Sequence, residues 1–473
     1  MGFFKWFTPK AKMKRWLALI LVGIIFVCYG ISTLIYHDTL GIMEILKIVV
    51  SFVIGFTAVV IGFIVVIGGG SGLNTVLRGL KNYTDNITAL VTVSDYGKTP
   101  TNSRKALQVL PLNDIKESLV ALSYNEEEME KLVNLQFESG QLKNLSFGDI
   151  YFLAMNQIHK NFAKSIESSK EVWNITGKVL PVTLEEIKIC AELDDGTVIE
   201  NRDKIPEYVS ETASKINRIY INPTNCMPAP GVIEAIKEAD AIVIGPGSLY
   251  TNVIPNLLVR GIAKAIKESE GIKIYVSNIM TELGQTDEYT LSDHIKAINE
   301  YIGQGIIDYC IYDTGEIVPE FIKKYNLKGS DVVLADKQKA KDMGVRLVQR
   351  DLSKVEGDSI RHDSDVIALA IIQLICDELK FDDMENDSQY MLLNSRLKET
   401  KREIKKREKK EKKFIESGKK PFERRPETEN SKFKAKYKDR INSIKDSEKK
   451  TKTRIKMMET YEKSKNHKNT EKK

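Results

Sequence analysis

The stretch Ile61–Leu80, IGFIVVIGGGSGLNTVLRGL, constrains this chain more than any other. It runs from an apolar, β-branched segment through clustered glycines into a helical pattern, and that order builds a phosphate site. Glycines let the backbone approach a ligand closely, and the unpaired N–H groups and dipole of the following helix attract negative charge. Gly68 and Gly70 satisfy G-x-G, whereas Leu73 stands where a dinucleotide fingerprint has its third glycine. Taken alone, the loop has a second reading, a tight strand-to-helix turn with no ligand.

A second unit repeats the order. The apolar segment Ala241–Ile244 is followed by Gly245-Pro246-Gly247-Ser248-Leu249-Tyr250-Thr251 and then by the helical pattern IPNLLVRGIAKAIKES. Two such units place two glycine loops on one crevice at the carboxyl edge of a parallel sheet, where open α/β sheets bind ligands. A diphosphate or phosphosugar is the simplest ligand for that pair.

Six ordered segments carry a family resemblance: VVIGGGSGL, SFGDIYFLA, VLPVTLEEIKICAELDDGTVIE, IVIGPGSLYTNVIPNLL, SNIMTELGQTDEYTLSDHI and IRHDSDVIA. Over about Val65–Leu379 the chain resembles the gluconeogenesis factor (YvcK-like) family, itself related to the 2-phospho-L-lactate transferases (CofD) of deazaflavin cofactor synthesis. The resemblance implies a Rossmann-like cytoplasmic domain that binds a UDP-sugar or another nucleotide diphosphate. It also implies a role in bacterial cell shape and envelope growth on gluconeogenic carbon sources, with cell-envelope synthesis proteins as partners and a homo-oligomeric state.

Loops and resemblance together name the candidate ligand-binding residues. Gly68, Gly69, Gly70, Ser71 and Gly72 form the first loop, and Gly245, Gly247, Ser248, Tyr250 and Thr251 the second. Asp95 ends the second strand, where a carboxylate accepts ribose hydroxyls. Ser146 and Gly148 lie in SFGD, Asn256 in the Pro-Asn-Leu element, and Asn278 and Thr281 beyond the strand Ile272–Val276. Arg361 and His362 precede the helix Ser364–Leu379, and a guanidinium there forks onto a diphosphate as lysine cannot.

Departures from the family pattern bear on catalysis. The usual Ala-Asp-Asp-Gly-Gly-Ser loop reads Ser94-Asp95-Tyr96-Gly97-Lys98-Thr99, the usual Pro-Pro-Gly-Asp-Ile-Arg reads Pro111-Leu112-Asn113-Asp114-Ile115-Lys116, and the usual Ser-Phe-Gly-Asn ends in Asp149. Paired carboxylates hold a divalent metal against substrate phosphates, and Asp95 alone does so poorly. Lys98 supplies charge without coordinating. The reading is therefore a binding regulator with no assigned catalytic residue and no metal. The alternative is a metal-dependent transferase of a phosphate-containing group, in which Asp95 with Asp114 or Asp149 would hold Mg2+.

Charge is divided along the chain. The formal net of +6 conceals +17 in Arg396–Lys473, from 31 basic and 14 acidic residues, and −11 in the remainder. A phosphate bound to an acidic body must be held by local N–H groups and a few cations. Cys28, Cys190, Cys226, Cys310 and Cys376 show no C-x-x-C spacing and read as small apolar residues in a reducing compartment. The five histidines include no H-E-x-x-H pair, so no dedicated zinc site is expected.

Three segments follow. In residues 1–60, basic residues precede an uncharged apolar run, Trp16–Tyr36, and a second run starts at Ile42. This reads as a transmembrane hairpin with the N-terminus in the cytoplasm, which anchors a cytoplasmic domain to the bacterial inner membrane. Residues 61–380 alternate strand-like and helix-like segments, as in a doubly wound, Rossmann-like α/β domain with a mostly parallel sheet. Strands are expected at Asn86–Val93, Arg218–Ile221, Ala241–Ile244, Ile272–Val276 and Ile307–Tyr312, with an inserted hairpin in Ile187–Glu200 turning at Asp195-Gly196. Residues 381–473 form a basic, helical to disordered tail suited to anionic lipid or RNA.

Overall fold

The computed structural model of the chain describes residues 62–92, 112–142, 145–212, 214–378 and 402. The expected hairpin in 1–60, Asp95 and most of the tail lie outside the described residues. Among the described residues, no helix is long and apolar enough to cross a membrane.

Seven strands form the central sheet in the order β10-β9-β8-β7-β1-β2-β3, and every pairing within it is parallel. They are β1 (Ile64–Gly68), β2 (Ile87–Val91), β3 (Lys178–Pro181), β7 (Ala241–Ile244), β8 (Ile272–Val276), β9 (Tyr309–Asp313) and β10 (Arg346–Arg350). The central strands IVVIG, ITALV and AIVI are buried at every position, because helices cover both faces of a parallel sheet and leave no polar side to alternate with. Helix Gly70–Leu80 packs on helix Asn113–Leu122 and on the apolar helix Ser364–Glu378, with its own Leu73, Val76, Leu77 and Leu80 buried.

The chain runs outward through β1, β2 and β3, then returns to the other side of β1 and runs outward again through β7, β8, β9 and β10. The order therefore reverses between β1 and β7. Ile64 pairs with Ala241 and Ile67 with Ile244, so the two strands end level and release their glycine loops side by side. A crevice at such a reversal is the general ligand position of open α/β sheets.

Between β3 and β7 lies a separate three-stranded antiparallel sheet, β5-β4-β6, made of β4 (Lys188–Leu193), β5 (Val198–Ile199) and β6 (Ile216–Asn222). The hairpin at Asp195-Gly196 joins β4 to β5. The expectation of a parallel-sheet strand at Arg218–Ile221 needs correction, because β6 pairs antiparallel with β4. The reason is visible in the RIYIN part of this strand, where Ile219 and Ile221 are buried and the residues between and beside them are not, as in a strand with one buried face. A last hairpin, β11 (Ser353–Glu356) and β12 (Ser359–His362), returns the chain to the carboxyl edge of the sheet.

Candidate functional site

The two loops are built against each other. Gly69 precedes helix Gly70–Leu80 in extended conformation, no side chain caps the helix, and its first turn has no acidic residue. The first-turn N–H groups of any helix lack intrahelical partners, so this end presents partial positive charge to the crevice. Gly70 and Gly247 have φ of +64 and +150, which a side chain would strain. A Cβ on Gly72 would stand 2.4 Å from the carbonyl oxygen of Pro246, so this glycine sets the contact between the loops.

Amide side chains hold that contact. Asn256, fully buried, donates to Gly68 O at 3.2 Å, Thr92 Oγ1 at 2.7 Å and Asn252 O at 2.7 Å. Asn278 accepts from Gly247 N at 3.2 Å and donates to Gly247 O at 3.0 Å, which fixes the second loop to the end of β8. Both are candidate ligand residues from the sequence; Asn278 spends both amide atoms on Gly247, whereas Asn256 spends its Nδ2 on protein groups and keeps a buried Oδ1 without a hydrogen-bond partner among the described residues. Tyr250 is buried with its hydroxyl 2.7 Å from that of Tyr289, and Thr251 is buried beside it in a π-helical turn, Leu249–Val253.

Loops and hairpin enclose a cleft of about 240 Å³. Ser71, Gly72, Gly247 and Ser248 supply one wall, Asn278, Thr281 and Glu282 another, and Arg361 and His362 from β12 a third. Arg361 Nη1 donates to Ser71 Oγ at 2.9 Å, which places an exposed guanidinium at the start of the first helix. His362 Nε2 lies 3.0 Å from Ser277 O. Burial lowers the pKa of this imidazole to about 4, with Arg361 adding to the effect, so at neutral pH it is uncharged and donates Nε2–H to that carbonyl. Burial also raises the pKa of the Glu282 carboxyl. A second polar cleft of about 270 Å³ adjoins the first, with Ser71, Thr75 and Arg361 common to both.

Some candidates lie apart from these clefts. Ser146 caps helix Phe147–His159, where its hydroxyl accepts from Asp149 N and from Lys116 Nζ. Gly148 packs under Val133 and Lys116, whose atoms a Cβ would meet at 2.8 and 2.9 Å. Two departures from the family pattern meet here, since Lys116 Nζ stands 2.6 Å from Asp149 Oδ1 in a buried ion pair. Asp114 lies near Gly69, and Arg202 Nη1 stands 3.5 Å from Asp114 Oδ2. Each of these carboxylates thus faces a cation of the protein, while Asp95, the residue common to both metal-ligand pairs, lies outside the described residues.

Arg202, Asn252 and Glu282 are site residues absent from the sequence expectations. Arg202, on the inserted segment, has a side chain only 13% exposed and donates to Asn252 Oδ1, while Asn252 Nδ2 points to Gly69 O at 3.4 Å. No local motif marks Arg202. Glu282 carries a weak signal, a carboxylate in the quoted segment beyond β8.

Known proteins share this architecture. A family profile described as 2-phospho-L-lactate transferase CofD matches residues 64–353. A relative from Clostridium acetobutylicum is 38% identical over 443 residues, covering 85% of this chain and 98% of its own. Gluconeogenesis factors from Halalkalibacterium halodurans and Bacillus subtilis are 40% and 37% identical, each over 66% of this chain and 95% and 98% of their own. The crystal structure of a UPF0052 family member from Bacillus halodurans superposes with a TM-score of 0.61 at 40% identity, covering 65% of this chain and 98% of that one. With its parallel sheet, its glycine loops at the reversal point and these relatives, the chain belongs to the gluconeogenesis factor (YvcK-like) family, within the wider CofD group.

Proposed function

We propose that this protein binds a nucleoside diphosphate sugar, a UDP-sugar by family resemblance, and acts as a regulator that couples sugar-nucleotide supply to cell shape and envelope growth under gluconeogenic conditions. The observation that carries the reading is Arg361 Nη1 at 2.9 Å from Ser71 Oγ, at the start of helix Gly70–Leu80 and beside Gly247 and Ser248. A guanidinium, an uncapped helix start and two glycine loops converge on one small volume, and a diphosphate matches that set in charge and geometry. Ligand binding would act by favouring one conformation of the loops and the β11–β12 hairpin. Residues 1–60 and the basic tail belong to the same proposal, as a membrane anchor and an arm for the anionic inner leaflet.

The description of the matching family profile favours a second reading, transfer of a phosphate-containing group. Binding without turnover accounts better for Asp114 and Asp149, whose charges are already met by Arg202 and Lys116. Calorimetry on the purified protein with UDP and UDP-glucose, with turnover followed in parallel, tests both readings. Arg361→Lys keeps the charge and loses the fork, and a charge-assisted hydrogen bond is worth about 1.5 to 3 kcal/mol, so affinity falls roughly tenfold or more. Equal affinity in wild type and variant removes Arg361 from the site, and turnover of a nucleotide substrate replaces the regulator with the transferase.

A further inference from the structure

Glu282 is an anomaly in a cleft otherwise suited to anions. It lies just beyond β8, where the main chain is held on both sides. Thr281 N donates to Asp331 O at 2.7 Å and Thr281 Oγ1 accepts from Asp331 N at 2.8 Å, while Glu282 N donates to Thr286 Oγ1 at 2.9 Å. The carboxyl accepts from Gln285 Nε2 at 2.9 Å, and Ser248 of the second glycine loop lines the same cleft and partly offsets the effect of burial on its pKa. The group is therefore fixed beside the phosphate wall. Among the described residues, no lysine or arginine forms an ion pair with it. Arg361 lines the same cleft and donates to Ser71, and His362 there is uncharged at neutral pH.

A fixed and poorly solvated carboxylate in such a place discriminates by charge. It repels a second negative group, since like charges in a partly buried site are weakly screened, and it accepts hydrogen bonds from neutral donors. Around it the cleft offers the hydroxyls of Ser248, Thr281, Ser330 and Tyr325, a lining for a polar uncharged group. We infer that Glu282 is a specificity-determining charge filter, which selects ligands whose phosphates are followed by a neutral sugar and rejects those ending in a further anionic group. The inference rests on the nucleotide-sugar reading above and names what that site excludes, by placing an unpaired charge against the competitor.

The test compares full-length wild type with Glu282→Gln, near-isosteric and uncharged, and Glu282→Asp, which keeps the charge. The probes are UDP-glucose, UDP-glucuronic acid and UTP in calorimetry at neutral pH. Wild type is expected to bind UDP-glucose about tenfold or more tightly than UDP-glucuronic acid and UTP, and Glu282→Gln to bring the three within about twofold, largely by gaining affinity for the acidic ligands. Glu282→Asp retains the preference. Gain of binding is a readout that structural damage does not produce. If wild type binds UDP-glucose and UDP-glucuronic acid alike, or Glu282→Gln keeps the wild-type ratio, the filter is wrong while the nucleotide-sugar reading stands. If wild type binds none of the three, both fall together.

Discussion

Lys116 and Asp149 show how two departures from a family pattern amount to one change of chemistry. Their side chains are 7% and 6% exposed, and the pair sits under the capping box that starts helix Phe147–His159. Burial, the largest single influence, would raise the pKa of the Asp149 carboxyl, but the charge and hydrogen bond of Lys116 and the hydrogen bonds from Ser146 together hold it below its ordinary 3.8. A carboxylate with a depressed folded pKa contributes stability that is full above its unfolded pKa and is lost as pH falls through the folded value. Breaking a buried pair by removing one charge costs about 3 to 5 kcal/mol, because the other charge stays behind unpaired. Asp149→Asn should therefore lose stability of that order in urea melts at pH 7, and the gap to wild type should close in acid below the unfolded pKa. Wild-type stability in Asp149→Asn at pH 7 would show that the pair carries no net stability.

Helix Gly70–Leu80 serves two neighbours through two glycines. A Cβ at Gly72 would stand 2.4 Å from Pro246 O in the second loop, and one at Gly79 2.0 Å from Ser364 O at the start of helix Ser364–Glu378. Both clashes are with backbone, so an element must shift, and overpacking of this kind costs about 1 to 3 kcal/mol. The consequences should separate: Gly79→Ala lowers the melting temperature and keeps ligand affinity, whereas Gly72→Ala parts the loops and weakens UDP-sugar binding several-fold beyond its effect on stability. Thermal melts and calorimetry on both variants check this, and equal affinity in the two would detach the loop contact from binding. Legibility in the sequence follows the same division. The glycine loops and the strands β1 and β7 are readable because their information is local, in clustered glycines and unbroken apolar runs. The edge strand Arg346–Arg350 is not, since its half-exposed residues resemble loop, and β6 reads as a parallel strand unless the one-sided burial of Ile219 and Ile221 is weighed. At the site, Arg361 meets Ser71 across 290 residues and Arg202 meets Asn252 across 50, pairings that no local spacing encodes. The sequence names Arg361 as a ligand residue but not as a partner of Ser71, and no motif marks Arg202.

Charge divides the whole molecule into parts that should act separately. Relatives from Halalkalibacterium halodurans and Bacillus subtilis match about two thirds of this chain and nearly all of their own length, so in those proteins a body of this length stands with little beyond it. Every cleft-lining residue described above belongs to that body, and the +17 of Arg396–Lys473 lies beyond it. A chain lacking residues 1–60, compared with one also lacking 396–473, should bind UDP-glucose equally well. Basic residues near an anionic bilayer contribute about 1 kcal/mol each before screening, so the tail should raise affinity for phosphatidylserine-containing vesicles strongly at low salt and weakly at high salt. Vesicle sedimentation across a salt series measures this, with a parallel RNA titration. Equal vesicle binding by the two chains would end the inner-leaflet role, and a tail-dependent loss confined to RNA would assign the arm to nucleic acid, where release of condensed counterions drives binding.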